Sequence, residues 1–270
     1  MAVTRRGYIF GAFLLSVLCV LLIVVAVSSD SWIVSTATPS QDLLSQVSNF
    51  RYGLFRGEIL LYSLATPTSH TMYMVCLPDV SACAVSCKTE PIAREEEVRA
   101  MAQGYMPNLG CLAFTEVSTA NPLDRPPVIS FAVYVCVLLF LFLQLATAVV
   151  AAGLSIINAT MNPTEPMFGL PGCLWSNAVA ALLGLTVMML FGIYWATSGL
   201  SEHLAFAHIA FDFFKPGPYL GYSYWLLLGA VLCSLSNIGL IQLRTYLLER
   251  DPPPPTIKVE NHSDGTIFLY

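Results

Sequence analysis

The chain is poor in charge. Only 11% of its 270 residues are Asp, Glu, Lys or Arg, against about 25% in soluble domains. The deficit is concentrated: residues 7–29, 126–163, 166–201 and 216–243 contain none of the four. Each stretch exceeds the roughly 20 residues that carry a helix across a bilayer, which excludes an ordinary soluble fold. The absence of charge inside these stretches argues against a pump, an ion-coupled transporter or a voltage sensor, all of which place ionisable groups within the membrane. Catalytic patterns are missing too. There is no Ser-His-Asp arrangement, no HExxH, no Walker loop and no GxGxxG. The histidines number four, and no dense Cys/His pattern of the zinc type occurs. The expectation is a non-enzymatic protein with no catalytic residue, cofactor or metal, and with no nucleic-acid partner.

What is present is a four-pass plan. Spans are expected at 8–28, 128–156, 174–198 and 223–247. They separate a cytoplasmic N-terminus (1–7), an extracellular loop domain (29–127), a cytoplasmic loop (157–173), a second extracellular loop (199–222) and a cytoplasmic tail (248–270). The apolar core of the first span, about 20 residues, is long for the h-region of a cleaved signal segment, about 7–15 residues. Arg5 and Arg6 before it, and Arg244 and Arg250 after the last, suit cytoplasmic termini under the positive-inside rule. Cysteine agrees: Cys76, Cys83, Cys87 and Cys111 share the first loop, an even set that reads as two disulfides in an oxidising compartment. Three pairings are open. The sequons at Asn158 and Asn261 fall on the cytoplasmic side, so no N-glycan is expected. Cys173 is a candidate for acylation at the inner face.

The first loop can form a small disulfide-stapled, β-rich domain. Residues 50–64, 72–77 and 111–117 read as strands. Glu90-Pro91 opens a helix that Gly104 ends, with Arg94 to Glu97 as its solvated face. In the second loop, Leu200, Leu204, Ala207, Phe211 and Phe214 recur at helical spacing. A continuation of the third helix is expected there, ended by Lys215-Pro216-Gly217-Pro218. Within the spans, Gly7-x3-Gly11 and Gly153, Gly184, Gly192, Gly229 and Gly239 offer close helix approach, while Gln144, Asn177 and Asn237 offer interhelical hydrogen bonds. Trp32, just past the first span, is expected at the headgroup layer.

Trp32 followed by Tyr52-Gly53-Leu54-Phe55-Arg56-Gly57-Glu58 and then cysteines is similar to the claudin-like tetraspan superfamily. The full Tyr-Gly-Leu-Phe-x-Gly-Glu string resembles the clarins. Asn162-Pro163-Thr164-Glu165-Pro166, Gly169-Leu170-Pro171-Gly172 and Ser201-Glu202-His203-Leu204 resemble clarin segments at corresponding places. The resemblance implies a four-transmembrane-helix bundle beside a small extracellular antiparallel sheet. It also implies a plasma-membrane protein that supports a complex in sensory cells: a mechanosensory bundle as in hearing, a synapse or a photoreceptor. The four loop cysteines and the missing loop sequon depart from the clarin pattern, and glycosylation is not carried over.

Two other readings stay open beside that one. A claudin-type adhesion or paracellular protein would use the Glu95–Glu97 cluster as its selectivity charge. An auxiliary subunit would accompany an ion channel. Membrane lipids are partners under every reading. The tail adds one more: Phe268-Leu269-Tyr270 has the apolar terminus and apolar third-last residue of a PDZ-domain ligand, set beyond a four-proline spacer.

Overall fold

The computed structural model describes residues 2–39, 48–63, 66–104, 126, 128–160, 167–198 and 214–250. Its long helices are α1 (Ala2–Ser28), α3 (Phe131–Thr160), α4 (Leu170–Thr197) and α5 (Tyr222–Arg250), with α2 (Pro91–Ala102) a short fifth. The strands are β1 (Ile33–Pro39), β2 (Ser48–Tyr52), β3 (Arg56–Ser63), β4 (Thr66–Leu77), β5 (Ala82–Ser86), β6 (Ile129–Ser130) and β7 (Phe214–Leu220). Four helices are long and apolar enough to cross a membrane, which makes the chain a multi-pass membrane protein by length and composition. They outrun the sequence expectation: α1 begins at Ala2, inside the expected N-terminal tail, and α3 reaches Thr160.

The long helices pack as a ring. α1 lies against α3 and α5, and α4 lies against the same two. Each helix is apolar on all sides, so large side chains such as Leu14, Phe142, Leu182 and Leu232 remain exposed on the outside of the ring, the signature of helices meant for lipid.

The interior is divided. Toward the sheet it is filled by Val137, Leu141, Val187, Phe191, Tyr224 and Leu227. Toward the other end it is small and polar. Asn237 donates to Ser16 Oγ (3.0 Å) and to Asn177 Oδ1 (3.1 Å), joining α5, α1 and α4. Asn177 donates to the Cys173 carbonyl (2.8 Å), and the Cys173 thiol lies 3.1 Å from Ser155 Oγ on α3. Cys173 is therefore buried inside the ring, out of reach of the acylation the sequence suggested. Gln144 lies between these halves, fully buried, its carboxamide without a protein partner among the described residues.

The glycines divide as well. A Cβ on Gly184 would strike Gln144 and Val231, and one on Gly192 would meet the Tyr224 hydroxyl. Gly7, Gly153 and Gly239 face open space and Gly11 touches only Leu240. The Gly7-x3-Gly11 spacing therefore does not mediate close packing among the described residues.

All strands form one antiparallel sheet in the order β6-β5-β4-β3-β2-β1-β7. β1 follows α1, β6 runs directly into α3, and β7 runs into α5 across Gly221, so three strands are extensions of the helix ends. One face carries Ile33, Phe50, Tyr52, Ile59 and Met72 into the same core as Leu141 and Leu227. Leu77 and Ala84 on the other face are covered by Val98 and Met101 of α2. Cys76 and Cys83, opposite each other on β4 and β5, form a disulfide with Cα atoms 4.0 Å apart. Cys87 is also disulfide-bonded; Cys111 and the strand expected at 111–117 lie outside the described residues.

Two expectations are corrected here. Helix α4 ends at Thr197, and the Lys215-Pro216-Gly217-Pro218 run is not a helix stop but the middle of β7. β7 pairs along all of β1 and is an edge strand, where proline is tolerated because one side of the ladder needs no N–H donors. Residues 199–213, with His203 and His208, are outside the described set. The second correction is Glu97. It is buried and accepts a hydrogen bond from Ser86 Oγ, whereas Glu95 and Glu96 stay exposed. The acidic run is therefore split between the α2–β5 contact and solvent, not gathered on one face.

The glycine division is testable. Gly184→Ala should cost about 1–3 kcal/mol through overpacking. Gly153→Ala should leave the melting temperature in detergent unchanged or slightly raised, since alanine favours helix. Equal melting temperatures for the two variants would contradict this packing.

Candidate functional site at the sheet–helix junction

The residues singled out by sequence meet where the sheet closes one end of the ring. α1 stops at the polar run Ser29-Asp30-Ser31, and the chain enters β1 through Trp32. That side chain is 1% exposed. Its indole N–H donates to the Ala26 carbonyl at 2.6 Å, and its ring stands edge-on to Phe191 (5.1 Å between centroids) and Tyr224 (6.3 Å). The expected headgroup position is thus corrected: Trp32 is a core residue. A polar N–H on a large ring is tolerated in the core when it finds an acceptor, and the last turn of α1 supplies one.

The Trp32 backbone is tied on both sides. Its N–H donates to the Tyr52 carbonyl (3.0 Å), and its carbonyl accepts from Gly221 N (2.8 Å), just before α5. Ser29 and Ser223 hydroxyls lie 2.5 Å apart across the same gap. Gly221 is required here, because a Cβ would overlap the Ser31 carbonyl.

The string Tyr52 to Glu58 forms the β2–β3 turn and its flanks. Gly53 N donates to the Arg56 carbonyl (2.8 Å). A Cβ on Gly53 would collide with the Ser29 carbonyl, and one on Gly57 with Tyr52 and Arg51. Leu54 is buried, and its carbonyl accepts from the Tyr134 hydroxyl of α3 at 2.7 Å. Phe55 turns outward and is 45% exposed. Arg56 pairs with Asp30 at 3.1 Å. The string therefore joins the sheet to both α1 and α3.

Tyr52 is fully buried and its hydroxyl has no partner among the described residues. Burial drives its phenol well above the ordinary value, so it stays neutral at physiological pH. It borders a cavity of about 10 Å³ with Trp32, Leu54, Tyr134 and Phe191, room for no more than about one water molecule.

The opposite face of the sheet is wet. Arg51 and Glu58, paired in register, form an ion pair, and Ser69 Oγ donates to Glu58 at 2.9 Å. The Arg51 guanidinium and then the Ser69 hydroxyl hold the Glu58 carboxyl below its ordinary value of 4.5, while Glu58 raises Arg51. Tyr219 and Thr36 border the shallow depression beside this pair.

The junction orders polar groups for hydrogen bonding. Among the described residues no three His, Cys, Asp or Glu side chains gather as a metal-binding group. Sequence reasoning missed Tyr134, Phe191, Tyr224 and Gly221, which lie in different spans or loops and share no local pattern with Trp32. Phe268, Leu269 and Tyr270 lie outside the described residues. Asn158 is in α3, where its side-chain amide donates to the Leu154 and Phe168 carbonyls. No family model matches the chain, and no curated protein matches it.

Gly53→Ala should destabilise the protein by about 1–3 kcal/mol, and Tyr134→Phe by about 1 kcal/mol through the bond to Leu54. Thermal unfolding of the purified protein in detergent measures both; a neutral Gly53→Ala would mean the turn does not seat on α1. Because the Glu58 carboxyl is lowered on folding, its contribution is present above about pH 4.5 and fades as pH falls through the lowered value. The pair is exposed, so the effect is under about 1 kcal/mol. Glu58→Gln should flatten that part of the stability–pH curve.

Proposed function

We propose that this chain is a clarin-like integral membrane protein of the plasma membrane, non-enzymatic, that supports a protein complex in sensory cells. The observation that carries the reading is the position of the Tyr-Gly-Leu-Phe-x-Gly-Glu string. Its residues and Trp32 are spent on joining an outer sheet to a four-helix ring, which is the architecture that the resemblance implies. A small sheet held rigidly over four spans is a platform for other membrane proteins.

In this reading the sheet is extracellular and both termini are cytoplasmic. The disulfide between β4 and β5 belongs in an oxidising compartment, and the arginines flanking the first and last spans obey the positive-inside rule. Aromatic residues mark the two membrane surfaces. Trp175 and Trp195 are twenty residues apart on α4, about 30 Å along a helix and one hydrocarbon thickness. Tyr222 and Trp225 are exposed at the sheet end of α5, and Tyr246 at the other. The C-terminal Phe268-Leu269-Tyr270 then lies in the cytoplasm, available to a PDZ scaffold.

A claudin-type adhesion protein is the second reading, favoured by the solvent-facing Arg51–Glu58 pair and the depression beside it. An auxiliary channel subunit is a third, and co-purification of a channel would favour it. An internally tagged copy at native level, with its C-terminus free, separates the first two. Enrichment at protrusions, cilia or synapses of sensory cells is the expected result; uniform lateral junctions in ordinary epithelium would replace the clarin-like reading with adhesion. For the tail, capture of PDZ proteins by the full-length chain should be lost when Tyr270 is deleted, and capture that survives the deletion removes the PDZ assignment.

A further inference from the structure

We propose that the rim of the sheet farthest from the helices is a site of O-linked glycosylation, with the Thr68 hydroxyl as the acceptor for an N-acetylhexosamine. This rests on the reading that the sheet is extracellular, and therefore passes through the lumen of the secretory pathway.

The composition of the rim comes first. Between Glu58 and Asp79 the chain has no Asp, Glu, Lys or Arg, and five of the nine residues from Ser63 to Thr71 are Ser or Thr. Pro67 stands between Thr66 and Thr68. Ser/Thr-rich segments punctuated by proline have the composition of O-glycosylated chains. Proline fixes its own backbone and keeps the residue before it extended, the form in which a peptide enters a transferase cleft. The order Ala-Thr-Pro followed by a hydroxyl residue occurs twice, as Ala37-Thr38-Pro39-Ser40 and as Ala65-Thr66-Pro67-Thr68.

Topology brings both strings to one rim. β1 leaves the end of α1 and finishes at Pro39, while β3 climbs from Arg56 to Ser63 and β4 starts back at Thr66. These two rising strands are seven and eight residues long, which puts their far ends about 20 Å along the strands from the junction. β2 and β3 lie between β1 and β4, so the two strings are roughly 14 Å apart. A soluble enzyme can reach this rim without meeting the membrane.

Access within β4 selects the acceptor. Thr68, Ser69 and Thr71 are exposed. β3 pairs along all of β4, but β5 joins it only from Tyr73 onward. Ser69 Oγ is committed to Glu58, and Thr71 is the cross-strand partner of Glu58. Thr68 alternates with Ser69 and so projects from the other face, in line with buried Met72 but beyond the end of the core. A sugar on Thr68 extends past the rim and leaves the Arg51–Glu58 pair in place. In the transfer, Thr68 Oγ1 bonds to the anomeric carbon of an N-acetylhexosamine carried on a nucleoside diphosphate. The bond from that carbon to the phosphate oxygen breaks, the diphosphate leaves with the electron pair, and the hydroxyl proton passes to it. The donor and the transferase are those of the secretory lumen.

The test expresses the full chain in animal cells and digests the purified, reduced protein with trypsin. Cleavage after Arg56 and Lys88 releases residues 57–88 as one peptide. Mass spectrometry should find it carrying an N-acetylhexosamine, alone or extended, with fragmentation placing the sugar on Thr68. Thr68→Val should lose the modification, and Thr71→Val should keep it. A bare wild-type peptide, or a sugar placed on another residue, would overturn the proposal. Ser69→Asn, which sets Asn before His70-Thr71 and so creates an N-glycosylation sequon, reports the orientation separately. An N-glycan on that variant beside a bare wild-type peptide would overturn the O-glycan alone and leave the extracellular sheet standing. Absence of both sugars would overturn the two together.

Discussion

The attachment of Trp32 at the end of α1 is the constraint on which the architecture depends. One residue closes three connections at once: its indole bonds back to α1, its N–H bonds to β2, and its carbonyl receives the chain as it enters α5. The ring also packs on Phe191 of α4 and Tyr224 of α5. Truncating a buried aromatic of this size costs about 3–5 kcal/mol in general, and here the loss would also free backbone groups in two strands. The sheet and the helices are consequently one packed unit. Their shared core runs from Ile59 on β3 to Leu227 on α5, and a change on either side of the junction is felt on the other.

The ring interior shows how the two ends differ in purpose. Bulky rings beneath the sheet give tight, oriented packing, as suits an end that must hold a second layer in place. At the far end, Ser16, Asn177 and Asn237 tie three helices by hydrogen bonds among small side chains. Bonds of this kind average only about 0.6 kcal/mol in membranes, so their value lies more in specifying which helix faces meet than in strength. Gln144 is the exception, buried without a partner among the described residues, a state that costs about 1–3 kcal/mol; Gly184 gives it the space it occupies.

Much of the plan was legible residue by residue. The four spans follow from runs without charge. The start of α2 was visible in Glu90-Pro91, and its end in Gly104, which takes the left-handed conformation at φ 87°. β2, β3 and the second half of β4 lie where apolar and aromatic residues concentrate between breaks, whereas the polar first half of β4, from Thr66 to Thr71, was not visible as strand. The errors share a cause, which is that local pattern cannot see a partner. Lys215-Pro216-Gly217-Pro218 has the composition of a helix stop, yet it lies in an edge strand because β1 had an open side. Trp32 has the composition of an interfacial residue, yet it is enclosed by Phe191 and Tyr224 from distant spans. The Gly7-x3-Gly11 spacing is real, but Gly7 faces open space and Gly11 makes only ordinary contact with Leu240.

Sequence alone determined the number of long apolar helices, the turn chemistry around Gly53 and Gly57, and the cysteines available to the first loop. These depend on composition and short-range spacing, which a single segment carries by itself. Only the tertiary structure decided that Cys76 pairs with Cys83, that Glu97 is buried while Glu95 and Glu96 are not, and that Phe55 points outward while Leu54 is held by Tyr134. Each of these depends on which residue of another segment arrives opposite. That is set by strand register and by the packing of helix ends against the sheet, properties that no segment possesses until the others are in place.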